Sequence, residues 1–300
     1  MRIGMVGLGK MGGNMTLRLL RGGHEVVGYA HDEEAVQAVV GHGATGATSV
    51  ADIVSKLDGP RCVWTMVPAG APTASVVDEL GEFLTDGDII IDGGNSHYSD
   101  SVARAETLSE GGISFIDCGT SGGVWGLDEG YCLMIGASPD AFTIMEPIFR
   151  SLAPPDGYSH VGPPGSGHFV KMVHNGVEYA LMQAYAEGFE ILNSSGFGID
   201  LPQVAEVWRH GSVVRSWLLD LAAGALKKDP GLENLTGWVE DSGEGRWTLQ
   251  TAIDNAVPAP TIAMSLFARF DSRRENSFSN RLLAALRREF GGHEVRPADD

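Results

Sequence analysis

Three hundred residues with 43% hydrophobic and 20% charged side chains suffice for two compact domains and are too apolar for a disordered chain. The 39 acidic against 21 basic residues leave a net charge of −18, which repels nucleic-acid backbones and anionic membrane surfaces and argues against both as partners. Three cysteines, Cys62, Cys118 and Cys132, are an odd number without a C-x-x-C pair, so a reducing cytoplasm fits better than a disulfide framework or a zinc knuckle. The opening Arg2-Ile3-Gly4-Met5-Val6-Gly7 lacks the organisation of a signal peptide, and no run of about 18 apolar residues offers a membrane span.

Along the first half, short apolar runs alternate with amphipathic stretches, the pattern of βαβ units and a parallel sheet. Strands are expected at Ile3–Val6, Glu25–Tyr29, Val63–Val67, Asp88–Asp92 and Ser114–Asp117, and helices at Met11–Arg21, Glu33–Val40 and Pro139–Arg150. After Pro154-Pro155 and Pro163-Pro164 the apolar spacing becomes helical throughout. His168–Asn193 reads as one helix, ended by Ser194-Ser195-Gly196. It is apolar nearly all round, which predicts burial by neighbours on several sides at the centre of a second domain. Asp200 is placed as the next N-cap, and further helices are expected at Val213–Leu226, Trp247–Ala256, Pro260–Phe270 and Phe278–Phe290.

Gly7-Leu8-Gly9-Lys10-Met11-Gly12 follows a strand and opens a helix, the context in which G-x-G-x-x-G points to a dinucleotide. The first glycine permits the turn, the second lets a pyrophosphate approach the backbone, and the third allows close helix–strand packing. Asp32, twenty residues beyond Gly12, is either the acid that accepts hydrogen bonds from the ribose of NAD or the N-cap of the next helix. No arginine stands in that turn to pair a 2′-phosphate, so NAD is favoured, while His31 leaves NADP open. The expectation is an α/β, doubly wound Rossmann-type domain over residues 1–165 for the dinucleotide, and an all-α domain over 166–300 for substrate and oligomerisation.

Two glycine-rich turns, Asp92-Gly93-Gly94-Asn95-Ser96 and Gly119-Thr120-Ser121-Gly122-Gly123, fall at the carboxyl ends of strands, where open α/β sheets bind ligands. Their bare N–H groups, with Asn95 and Ser121, suit an anionic or hydroxylated substrate. On the long helix Lys171, His174, Asn175 and Glu178 recur at i, i+3, i+4 and i+7, a polar stripe on one face. Such a ladder is ordinarily solvated; its apolar surroundings here place it in the interior or along a cleft. Gly176 costs about 1 kcal/mol against Ala in mid-helix, which suggests a close approach to its backbone.

These motifs, with Val67-Pro68-Ala69-Gly70, Gly245-Arg246-Trp247-Thr248, Phe267-Ala268-Arg269 and Arg287-x-x-Phe290-Gly291-Gly292-His293, make essentially the whole chain resemble the decarboxylating 6-phosphogluconate dehydrogenases. The resemblance implies Lys171 as base and Glu178 as acid in a metal-free oxidation and decarboxylation. It implies a cofactor site of Gly7, Leu8, Gly9, Lys10, Met11, Gly12, His31, Asp32, Val67 and Asn95. Asn95, Ser121, Gly122, Gly123, His174 and Asn175 would hold the carboxylate and hydroxyls of 6-phosphogluconate. Tyr179, Arg269, Arg287 and His293 would hold its phosphate, the last two reaching over from another subunit of a homo-oligomer, dimer or tetramer. Ser242 and Glu244 depart from the family, whose longer members carry Lys and Thr there. Two rival readings stay open: a related β-hydroxyacid dehydrogenase of the glyoxylate or 3-hydroxyisobutyrate type, and a non-catalytic nucleotide-binding oligomer.

Overall fold

The computed structural model describes residues 1–291 together with Glu294 and Arg296. The chain forms two compact units, Met1–His174 and Asn175–Asp300.

The first unit runs β1 (Arg2–Val6), α1 (Lys10–Arg21), β2 (Glu25–Tyr29), α2 (Glu33–Val40), β3 (Thr45–Gly46), α3 (Val50–Ser55), β4 (Cys62–Thr65), α4 (Ala71–Phe83), β5 (Ile89–Asp92) and α5 (Tyr98–Ser109). It continues through β6 (Ser114–Ser121), the short α6 (Gly126–Glu129), β7 (Cys132–Gly136), α7 (Pro139–Leu152) and β8 (Tyr158–Gly162) into the first turns of α8 (Ser166–Asn193). The strands form one sheet in the order β3-β2-β1-β4-β5-β6-β7-β8. Neighbouring strands are parallel except β6 and β7, so the expected parallel sheet acquires one antiparallel join.

Successive residues of the central strands enter two different cores because side chains alternate across a sheet. Ile3, Met5, Trp64, Ile89 and Ile91 pack on one face with Met15 and Leu19 of α1 and Met145 and Phe149 of α7. Val27, Val63 and Ile90 pack on the other with Ile53 of α3 and Val77 and Leu80 of α4. The sheet is thus covered on both sides, as a doubly wound fold requires.

The second unit is helical: the rest of α8, then α9 (Leu201–Arg209), α10 (Trp217–Lys228), α11 (Glu244–Asp254), α12 (Pro260–Asp271) and α13 (Phe278–Gly291). Asp200 caps α9 as expected, accepting from Gln203 N at 3.0 Å. The helix expected from Val213 starts later, because Ser216 accepts from Leu219 N and fixes the cap there.

One expectation needs correction. The part of α8 beyond Asn175 is not enclosed by the described residues: Val177, Leu181, Met182 and Ile191 are exposed. Among the described residues, the buried hydrophobic cluster of this unit comprises Ala205, Ala223 and Leu226, with Phe189 of α8 and Leu201 packed against it. Residues of α12 share a groove with Ala180, Gln183, Ala184 and Glu187 of α8. These neighbours line part of the circumference and leave an apolar remainder. Among the described residues no helix is long and apolar enough to cross a membrane.

Replacing Ile91, fully buried between β4 and β6, with Ala should cost about 2–5 kcal/mol through lost transfer energy and a residual cavity. Denaturant titration of the two proteins measures it.

Candidate active site

The registers of the sheet align Tyr29, Val6, Thr65, Asp92 and Asp117 in one row across β2, β1, β4, β5 and β6. The glycine loop, the Ala30-His31-Asp32 turn, Met66-Val67 and the Gly93-Gly94-Asn95 turn all leave the sheet immediately beyond this row. Strand order reverses between β1 and β4, so this is the carboxyl edge at a topological switch point.

Each glycine of the first loop has its own physical reason. Gly7 has φ +93°, and a Cβ there would overlap the carbonyl oxygen of Met66. A Cβ on Gly12 would overlap the carbonyl oxygen of Gly7, so α1 sits too close to its strand for any side chain. A Cβ on Gly9 would meet no protein atom within 4 Å. Sterics within the chain do not demand glycine at that position, whereas a pyrophosphate lying against the backbone at the start of α1 does. The cradle therefore fits a dinucleotide. Leu8 points inward and packs on Gly28, Lys10 is exposed, and Met11 and Val67 are half-buried. Asp32 caps α2 through Oδ1, accepting from Glu34 N at 3.0 Å, while Oδ2 can still take a ribose hydroxyl. His31 Nδ1 lies 3.3 Å from the Tyr29 hydroxyl.

The Asp92 turn is built around a buried carboxylate. Asp92 accepts from Gly94 N at 3.0 Å and from Ser96 Oγ at 2.7 Å, and pairs with Arg104 at 3.3 Å. That network presents Asn95 on the exposed crest of the turn. The second glycine-rich turn ends β6: Ser121 is half-buried, and Gly122 and Gly123 have φ +129° and +53°.

Helix α8 passes through both units, with Lys171 and His174 in the first and Asn175, Glu178 and Tyr179 in the second. Lys171 is only 8% exposed, and Gly119 lacks the Cβ that would collide with its stem. Asn175 is buried, and His174 and Glu178 are half-buried. The close approach expected at Gly176 comes from α11: a Cβ on Gly176 would lie 2.7 Å from Thr248 Cγ2. One turn further, a Cβ on Gly245 would lie 2.7 Å from the Tyr179 ring.

Tyr179 is the centre of a polar cluster in the second unit. Its hydroxyl accepts from Ser242 N at 3.0 Å, and the Arg269 guanidinium stands 3.6 Å from its ring centroid. Ser242 Oγ donates to Glu244 Oε2 at 2.6 Å, and Glu244 is 2% exposed at the first position of α11, where the helix N-terminus favours a carboxylate. Asp241 takes Arg246 and Arg273 together, at 2.7 and 2.8 Å. The Arg246 bond holds the Asp241 carboxyl down at about 2 against its burial. Arg269 donates to the Glu240 carbonyl and among the described residues meets no carboxylate. Arg287 is exposed on α13, and His293 lies outside the described residues.

Residues 2–162 match the family described as the NAD binding domain of 6-phosphogluconate dehydrogenase, and 167–292 match the 6-phosphogluconate dehydrogenase C-terminal domain. The chain is 46% identical to the NAD-dependent, decarboxylating 6-phosphogluconate dehydrogenase of Haloferax volcanii, over 100% of both chains. It is also 46% identical, over 98% of each, to a Bacillus subtilis protein, YqeC, itself only provisionally named a 6-phosphogluconate dehydrogenase. It spans 60% of the longer NAD-dependent enzyme of Bacillus subtilis, at 36% identity over 89% of this chain. Among solved structures, 6-phosphogluconate dehydrogenase of Plasmodium falciparum superposes with a TM-score of 0.84 at 28% identity, over 100% of this chain and 67% of that one.

Two substitutions test the close approaches. Gly12→Ala forces α1 from its strand at a cost of about 1–3 kcal/mol, and calorimetric titration should show NAD binding about ten- to a hundredfold weaker. Gly176→Ala should lower the thermal midpoint, and adding Thr248→Ala should restore part of the loss, since it removes the methyl that the new Cβ meets.

Proposed function

The chain belongs to the 6-phosphogluconate dehydrogenase family, and on that premise we propose that it converts 6-phosphogluconate to ribulose 5-phosphate and CO2 with NAD. The observation that carries the reading is Lys171, a nearly buried lysine held against β6 at the carboxyl edge where the glycine loop opens. Glu178 follows two helical turns later on the same helix face.

Gly7, Gly9 and Gly12 would hold the pyrophosphate of NAD and Asp32 its ribose, and the cofactor would supply the acceptor for the hydride leaving C3 of the substrate. Lys171 takes the proton of the C3 hydroxyl as that carbon becomes a ketone. The bond from the carboxylate carbon to C2 then breaks, CO2 leaves, and the electron pair passes to the C3 carbonyl oxygen. Lys171 returns its proton to that oxygen, which makes the loss of CO2 easier without a metal. Glu178 then protonates the carbon that becomes C1 of ribulose 5-phosphate while Lys171 takes the enediol hydroxyl proton back, which leaves the ketone. Asn95, Ser121, Gly122, Gly123, His174 and Asn175 hold the carboxylate and hydroxyls. Tyr179 and Arg269 hold the phosphate, with Arg287 and His293 contributed by a second subunit. The uncovered apolar side chains of the second unit support a homo-oligomer, dimer or tetramer, and three free thiols support a cytoplasmic setting.

Turnover of 6-phosphogluconate, followed by NADH absorbance and released CO2, is the direct test. Lys171→Met should abolish it. Glu178→Gln should keep NAD affinity and lower kcat by the roughly 10²–10⁴-fold typical of a lost general acid. Near-normal turnover in Lys171→Met removes the assigned base. The wild type should have a higher kcat/KM with NAD than with NADP, and His31→Arg with Asp32→Thr should move preference toward NADP, because a guanidinium is added and the carboxylate that repels a 2′-phosphate is removed.

A further inference from the structure

Asp117 lies on β6 in the same row as Asp92, is fully buried, and belongs to none of the ligand sets above. Its carboxylate is spent on the start of α8: Oδ1 accepts from Gly165 N at 2.6 Å and Oδ2 from His168 N at 2.7 Å. A helix leaves its first N–H groups without intrahelical partners, and a local side chain usually supplies the cap. Here Gly165 has no side chain to offer, and the cap comes from a strand 48 residues earlier.

The contact is made tight by three glycines. A Cβ on Gly136 would overlap Asp117 Oδ1, one on Gly167 would overlap the Asp117 carbonyl oxygen, and one on Gly119 would overlap Lys171 Cβ. A third element completes the seat: Ser101 of α5, also fully buried, meets His168 Nδ1 at 2.8 Å. Asp117 and Gly119 lie on one face of β6, and His168 and Lys171 lie on one face of α8. The strand and the helix therefore meet at two successive points, the first a pair of hydrogen bonds and the second the lysine stem itself.

We propose that Asp117 is a positioning residue for Lys171: its carboxylate, through the Gly165 and His168 amides, fixes the first turn of α8 so that the lysine is held against Gly119. Burial pushes the Asp117 carboxyl upward, while His168 and the two amide donors pull it back. The inference rests on the reading of Lys171 as the base.

The test compares Asp117→Ala and Asp117→Asn with Asp88→Asn. Asp88 is an equally buried carboxylate that precedes β5, at the amino edge of the sheet, and binds Arg61 and Thr85. Asp117→Ala should lower kcat for 6-phosphogluconate about tenfold or more while the Kd for NAD stays within about twofold, since a displaced catalytic group loses rate and the glycine loop is untouched. Asp117→Asn, with one acceptor left, should recover part of kcat. Asp88→Asn should lower the thermal midpoint and leave kcat unchanged.

Hydrogen exchange of the Gly165 and His168 amides should be slow in the wild type and fast in Asp117→Ala. If the alanine variant fails to fold, Asp117→Asn is judged by the same criteria. Fast exchange in the wild type, unchanged exchange in the folded variants, or a loss of kcat no greater than in Asp88→Asn overturns the proposal. A wild type that does not oxidise 6-phosphogluconate overturns the functional reading instead, and the exchange measurements still decide the cap.

Discussion

The register that puts Tyr29, Val6, Thr65, Asp92 and Asp117 in one row governs the rest of the first unit. Parallel strands that end together must each turn away at the same edge, and the chain there has to turn sharply, approach a ligand with its backbone, or anchor a helix. Gly7 turns at positive φ, Gly9 leaves the approach open, and Gly12 brings α1 down onto the strand. At the β5–β6 end of the row the two buried carboxylates perform matching tasks. Asp92 gathers the N–H and hydroxyl of its own turn and offsets its charge with Arg104. Asp117 gathers the N–H groups of a helix from elsewhere in the chain. A buried ion or carboxylate is costly unless its acceptors are filled, and in both cases the groups that fill them belong to segments carrying candidate site residues.

The strands β1, β2, β4 and β5 were legible because they are short apolar runs between glycine, proline or acidic breaks, the form taken by strands buried on both faces. Three strands carry no such mark. Thr45–Gly46 has two residues, Cys132–Gly136 follows a glycine turn without alternation, and Tyr158–Gly162 is a half-exposed edge strand containing Ser and His. Helix α4 follows Gly70, which offers no side-chain cap, and α5 buries Ser101 with Leu108, so neither announces itself by a cap signal or a full apolar stripe. The long helix was visible over nearly its full length, but its burial was not. An apolar circumference states that a helix prefers to be covered and does not state which chain covers it.

The same limit applies to the candidate site. The glycine loop, both glycine-rich turns and the Lys171 to Tyr179 stripe are local patterns, so the sequence alone exposes them. The close approach of α11 to Gly176 was inferable from the cost of a mid-helix glycine, though Thr248 as the neighbour was not. Asp117 left no local trace, since its partners lie 48 and 51 residues further on and both are backbone amides. Carboxylates that hold distant backbone are invisible to spacing rules, which compare side chains within a few turns or one hairpin.

For a protein of net charge −18, the anionic, phosphorylated substrate proposed here requires charges that are arranged locally. In the second unit Asp241 is matched by two guanidiniums, and Glu244 is turned to Ser242 at the start of α11. Arg269, by contrast, stacks on Tyr179 with one side donating to a carbonyl and no carboxylate among the described residues to neutralise it. Stacking holds the guanidinium in place without cancelling its charge, which a carboxylate in the same position does not achieve. Glu244, at a position where longer relatives of the resembled family carry Thr, is therefore compatible with a phosphate at Tyr179. Its carboxylate is engaged by a hydroxyl and a helix terminus, and Arg269 is the cation that a phosphate proposed there would meet.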